Sequence, residues 1–157
     1  MKSFQIKKIE RELKEALLHV SILSVIIGVV IYFSSSLNQI GLILIALSFL
    51  PLISLKLTGE KIKESISEIV FGAFNTGLIT LMAIGGYQLE GILGAVIGVA
   101  VGDAITEGFS GILEGEVADI MIRYKIKEKI DPLISSLGKM SGALLGGGIV
   151  LLIYSLL

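Results

Sequence analysis

Apolar residues gather along this chain in five blocks separated by short polar stretches: 16–33, 39–57, 69–89, 92 to about 113, and 137–157. Each block is close to the roughly 20 residues with which a helix crosses a bilayer. The pattern therefore predicts an all-α polytopic membrane protein of about five transmembrane helices, forming a single helical domain over 16–157. The first block is longer than the apolar region of a signal peptide and no small-residue cleavage site follows it, so it reads as a retained span. Ahead of it, residues 1–15 are charged and helix-forming, and Ile6, Ile9 and Leu13 give them one apolar side. That predicts a cytoplasmic amphipathic helix lying along the membrane surface.

Composition agrees with lipid as the main solvent. Of 157 residues 54% are hydrophobic and only 17% charged, with a mean hydropathy of +0.91. These values stand well outside those of soluble domains. A net charge of -1 argues against nucleic acid, whose phosphates call for a basic face. The chain has no cysteine and a single histidine, His19. Disulfides, thiolate metal sites and multi-histidine zinc sites are excluded. Isoleucine-rich, Lys/Glu-rich, cysteine-free usage points to a thermophilic prokaryotic source.

The cations set an orientation. Lys2, Lys7, Lys8, Arg11 and Lys14 precede the first block; Lys56, Lys61 and Lys63 follow the second; Arg123, Lys125, Lys127, Lys129 and Lys139 attend the passage from the fourth to the fifth. The turns around 34–38 and 88–91 carry none. The positive-inside rule then puts the N-terminus in the cytoplasm and the C-terminus outside, in the plasma membrane. Asp131-Pro132 reads as a cytoplasmic helix end or turn.

The fourth block departs from a plain apolar helix. Asp103, Glu107 and Glu114 are spaced by four and seven residues, so with Ser110 they share one stripe. Entering near Gly91 at 1.5 Å per residue, the helix reaches Asp103 after roughly 18 Å and Glu107 after roughly 24 Å, with Glu114 at the cytoplasmic boundary. An acid at such depth costs on the order of 3 kcal/mol. It is expected to face the bundle interior and to be protonated, paired or cation-bound. At matching depth the third block offers Asn75 and Thr76, with Thr80 a turn beyond. In the second block Pro51 deprives the Leu47 carbonyl of its helical partner, and such freed oxygens line many transporter sites. Carboxylate, amide, hydroxyl and carbonyl oxygens together are hard ligands, suited to sodium, calcium, magnesium or manganese.

Plainer readings stand beside these. Glu114, Glu116 and Asp119 also suit the solvated end of a helix that has left the membrane. A lone Asn75 also serves as an interhelical hydrogen-bonding group. Glu64 and Glu68 suit the cytoplasmic surface, although Glu68 shares a face with Asn75 and suits a site mouth; His19 suits an interface. Gly94, Gly98 and Gly102 are four apart, as are Gly138, Gly142 and Gly146. Such small-residue faces let helices approach to backbone contact. They predict that the fourth and fifth spans pack on each other or on a second subunit, with a homodimer favoured.

The FGAFNTG stretch at 71–77, followed by a glycine-rich helix with Gly102-Asp103 and Glu114, resembles the transmembrane protein sixty-five family of small inner-membrane proteins. The likeness covers the last three spans. It implies that Asn75, Asp103 and Glu114 match the family's Asn, Asp and Glu, and it implies a link to sodium and calcium exchange. Glu107 has no counterpart, the Asp before the family's Asn is absent, and Gly102 stands where the family has Ser.

Three classes of function remain. The first is a cation transporter or channel, with a cation/proton or sodium/calcium exchanger among its forms and Asp103 and Glu107 as ligands. The second is a non-catalytic assembly or accessory subunit whose acids pair with a partner's lysine or arginine. The third is an intramembrane aspartyl enzyme, which needs a second aspartate to share the proton. No other Asp lies within a span, so the chain reads as a non-enzyme.

Overall fold

The computed structural model describes residues 2–33, 39–124 and 131–157, with side chains over 10–33, 39–109 and 131–157. The elements are helical: α1 (Lys2–Phe33), α2 (Ile40–Leu47), α3 (Phe49–Leu57), a 3₁₀ turn (Ile62–Ser65), α4 (Ile66–Tyr124) and α5 (Pro132–Leu156). Among the described residues four stretches are long and apolar enough to cross a membrane: Glu10–Phe33, Ile40–Leu57, Ile62–Phe109 and Pro132–Leu156. By helix length and hydropathy this is an all-α, multi-pass membrane protein. The chain forms two units, Met1–Thr76 with Asp131–Leu157, and Gly77–Ile130.

α1 differs from the sequence expectation. The segment predicted to lie apart along the membrane surface is the beginning of one unbroken helix of 32 residues. No proline or glycine precedes Gly28, and the Lys, Glu and Leu residues around Glu15 and Ala16 are strong helix formers, so nothing ends the helix where the charge ends. His19 Nδ1 lies 2.8 Å from the Glu15 carbonyl oxygen, a contact within this helix.

In the first unit α5 is the axis. Asp131 caps it by accepting a 3.0 Å hydrogen bond from the Leu133 N–H, and Pro132 takes a first-turn position where its missing N–H costs nothing. The dipeptide read as a helix end is thus the start of α5, five residues before the apolar block at Leu137. Helices α1, α2 and α3 all pack on α5. Leu133, Ile134 and Leu137 share a core with Ala16, Leu23, Ile27, Leu47 and Leu55. On its other side α5 runs parallel to the beginning of α4. A Cβ on Gly138 would lie 2.8 Å from Glu68 Cβ, and one on Gly142 2.9 Å from the Ala73 nitrogen, while Gly146 sits against the Ala73 backbone. The partner of this glycine face is therefore α4 of the same chain.

The second span is two helices meeting at Ser48, with Pro51 buried just beyond. α3 then ends in a Schellman motif: Glu60 N–H donates to Leu55 O and Gly59 N–H to Lys56 O, both at 3.2 Å. Gly59 takes the left-handed conformation this closure requires, with φ 84°.

In the second unit α4 folds back on itself. Glu90 (φ -136°, ψ 24°) and Gly91 (φ 60°, ψ -138°) interrupt it. Gly91 occupies a region closed to side chains bearing a Cβ. Beyond it Gly94 packs on Gly86, Gly98 on Met82 and Gly102 on Ile79. The arms are consequently antiparallel, and the turn falls in the gap the sequence predicts between 89 and 92. The second arm continues past Leu113, its expected end, to Tyr124.

Candidate functional site

The second arm of α4 has two unlike faces. At about 100° per residue Gly94, Gly98, Gly102 and Thr106 lie along one side; all four are buried. The Thr106 hydroxyl donates 2.9 Å to the Asp103 carbonyl, which satisfies it within its own helix. Roughly opposite lie Asp103 and Glu107, one turn apart, beside Ala100, Ala104 and Gly108, and all five are exposed. Around Gly108 a Cβ would meet no atom within 4 Å.

This corrects the expectation that Asp103 and Glu107 face the bundle interior. A helix in a two-armed hairpin buries one face, and the glycine face wins because it brings backbone to backbone. The acids are left on the side of that arm away from its packed glycine face. Gly102 is level with Ile79 of the first arm, and at 1.5 Å per residue Asp103 stands roughly 18 Å along the second arm from Gly91. Among the described residues no three His, Asp or Glu side chains are grouped to hold a metal ion. Glu114, with Ser110, Glu116 and Asp119, lies where side chains fall outside the described residues.

Asn75 and Thr76 belong to the first unit and the two acids to the second. Asn75 Oδ1 is buried and has no hydrogen-bond partner among the described residues. An unmatched amide oxygen inside a membrane domain is costly, and it is an available hard ligand. Thr76 is half-buried. Glu68 is engaged: its Oε2 lies 3.7 Å from Lys139 Nζ, and that ammonium also stands 5.6 Å from the centre of the Phe71 ring. Lys139 thus belongs to the second turn of α5, and Glu68 pairs with it.

Pro51 is fully buried in the first unit. Next to it the Ser48 carbonyl accepts a 2.7 Å hydrogen bond from the Ser141 hydroxyl of α5. Ser141 is a residue that sequence reasoning missed. The available signal was its place beside Gly142 in a helix predicted to make backbone contacts, where a small hydroxyl reaches a neighbouring carbonyl.

The chain matches no protein-family model, no curated protein and no solved structure.

Proposed function

We propose that this protein is a cation transporter or channel in which Asp103 and Glu107 bind a hard cation, sodium, calcium, magnesium or manganese, within the membrane. The observation that carries this reading is the pair itself: two exposed carboxylates on one face of an arm that from Ile92 to Phe109 carries, besides them and Thr106, only apolar or small residues. Each costs on the order of 3 kcal/mol if left against lipid. A bound cation offsets that cost for both at once. The sequence also offers Asn75, Thr76 and Glu114 as oxygen donors. The break at Glu90–Gly91 supports five crossings, with the N-terminus in the cytoplasm and the C-terminus outside. Because the acids face outward, a second copy of the chain in a homodimer covers them. The resemblance of the last three spans to the transmembrane protein sixty-five family favours sodium and calcium for the first trials.

The exposure of both acids also favours a second reading, an accessory subunit whose acids meet a lysine or arginine of a partner helix. One experiment separates the two. Thermal unfolding of the purified protein in detergent is followed for wild type and Asp103→Asn with each of the four cations. Transport predicts that one cation stabilises the wild type, by about 2.7 kcal/mol at a hundredfold excess over Kd, and that Asp103→Asn abolishes the response. An unchanged wild type, with Asp103→Asn more stable than it, refutes cation binding and favours the partner.

A further inference from the structure

The turn between α3 and α4 is held as a platform on α5. Its Schellman closure is joined by the Thr58 hydroxyl, which donates 2.8 Å to the Leu55 carbonyl. In the 3₁₀ turn that follows, Ser65 is fully buried, and its hydroxyl donates 2.9 Å to the Ile62 carbonyl. A Cβ on Gly138 would stand 3.0 Å from Ser65 Cβ, so this side of the turn rests on α5. The other side is open and carries two kinds of residue. Lys56, Lys61 and Lys63 are exposed. So are Leu57 at 82%, Ile66 at 53% and Ile62 at 38%.

On either side of the turn lies a stretch apolar enough to cross a membrane, one ending at Leu57 and the next beginning at Ile62. The turn therefore stands at a bilayer boundary whichever way the chain is oriented. At that level a single kind of molecule suits both kinds of residue. Apolar side chains enter the acyl boundary, while lysine stems lie along it and hold their ammonium groups among the headgroups. A soluble anion would leave Leu57 and Ile66 uncovered.

The charge of the turn selects among lipids. Over residues 56–64 three lysines stand against two glutamates, Glu60 and Glu64, an excess of one positive charge. Lys139 adds nothing to it, because Glu68 pairs with that ammonium. A second copy of the chain would bring the same excess and repel it, whereas an anionic headgroup neutralises it.

We propose that this platform is a docking surface for anionic phospholipid, with the lysines on the headgroup phosphates and Leu57, Ile62 and Ile66 in the acyl boundary. The surface is independent of what Asp103 and Glu107 bind. Because the chain has no cysteine, a fluorophore can be placed at one position. Ser67→Cys, exposed four residues after Lys63, reports on the platform, and Ile153→Cys near the far end of α5 is the control. The full chain is reconstituted in phosphatidylcholine vesicles with a trace of phosphatidylglycerol or phosphatidylcholine, each carrying a nitroxide on the same acyl carbon, and quenching by the two is compared. One excess cation near the surface is expected to enrich the anionic lipid roughly fivefold at Ser67→Cys, with no enrichment at Ile153→Cys. Glu64→Gln, at an exposed position, raises the enrichment roughly fivefold again, and Lys61→Gln with Lys63→Gln abolishes it. The proposal is overturned if the two lipids quench Ser67→Cys equally, or if either set of substitutions leaves their ratio unchanged. Removal of the enrichment by inorganic phosphate at constant ionic strength would overturn it too, in favour of a free-anion site.

Discussion

Replacing Gly98 by alanine tests whether the α4 hairpin is held by backbone contact. The new methyl would meet the Met82 carbonyl oxygen and would lie 2.7 Å from that carbonyl carbon and 3.1 Å from Ala83 Cα. Carbon atoms rest at about 3.5 to 4.0 Å, so the arms must part by roughly 1 Å over the contact from Gly94 to Gly102. Overpacking of this kind costs about 1 to 3 kcal/mol. Alanine's better helix propensity returns up to about 1 kcal/mol, leaving Gly98→Ala neutral to about 2 kcal/mol destabilised. Gly108→Ala is the internal comparison. It lies in the same arm with open space around it, so the propensity term acts alone and the variant gains up to about 1 kcal/mol. The expected gap between the two is therefore about 1 to 3 kcal/mol. Equilibrium unfolding in mixed micelles, followed by far-UV circular dichroism, measures it. A Gly98→Ala variant as stable as Gly108→Ala would refute the close approach of the arms and with it the reason given for the outward-facing acids.

Two further substitutions probe the ends of the elements. Gly91→Ala forces a Cβ into a conformation with φ 60° and ψ -138° and is expected to lower stability by about 1 to 3 kcal/mol; full stability in the same unfolding assay would deny the turn its geometry. Asp131→Ala removes the acceptor for the Leu133 N–H and is expected to cost about 1 kcal/mol. Asp131→Asn keeps an acceptor there and should recover most of that loss, so equal loss in both variants would show that the cap is not the source.

Helix-forming stretches and their breaks were legible because membrane helices are written in composition. The turn at Glu90–Gly91 follows from the polar gap between Leu89 and Ile92; the break at Asp131-Pro132 was legible as a helix end or turn, though not as the cap that starts α5. The same logic failed at Ala16, where a change of solvent predicts a boundary but no residue terminates the helix. At Asp103 periodicity placed two stripes on the second arm, one of glycines and one of acids, and carried no information on which is buried. The cost of an acid in lipid argued for the acids; close packing through Gly94, Gly98 and Gly102 decides for the glycines within one chain. Ser141 was hidden for a related reason, since a serine in an apolar helix ordinarily bonds its own backbone, whereas here the hydroxyl reaches the Ser48 carbonyl of the second span.

The two-residue turn of α4 has a consequence for how this sequence can change. Gly86 and Gly94, Met82 and Gly98, and Ile79 and Gly102 are matched by counting outward from Glu90–Gly91, which acts as the zero of a ruler laid along both arms. Inserting or deleting one residue between Gly94 and Gly98 would rotate everything after it by about 100° and shift it by about 1.5 Å. Gly98 and Gly102 would leave their partners, and Asp103 and Glu107 would turn with them. Point substitutions can adjust the acids one at a time, whereas a change of length moves packing and charge together.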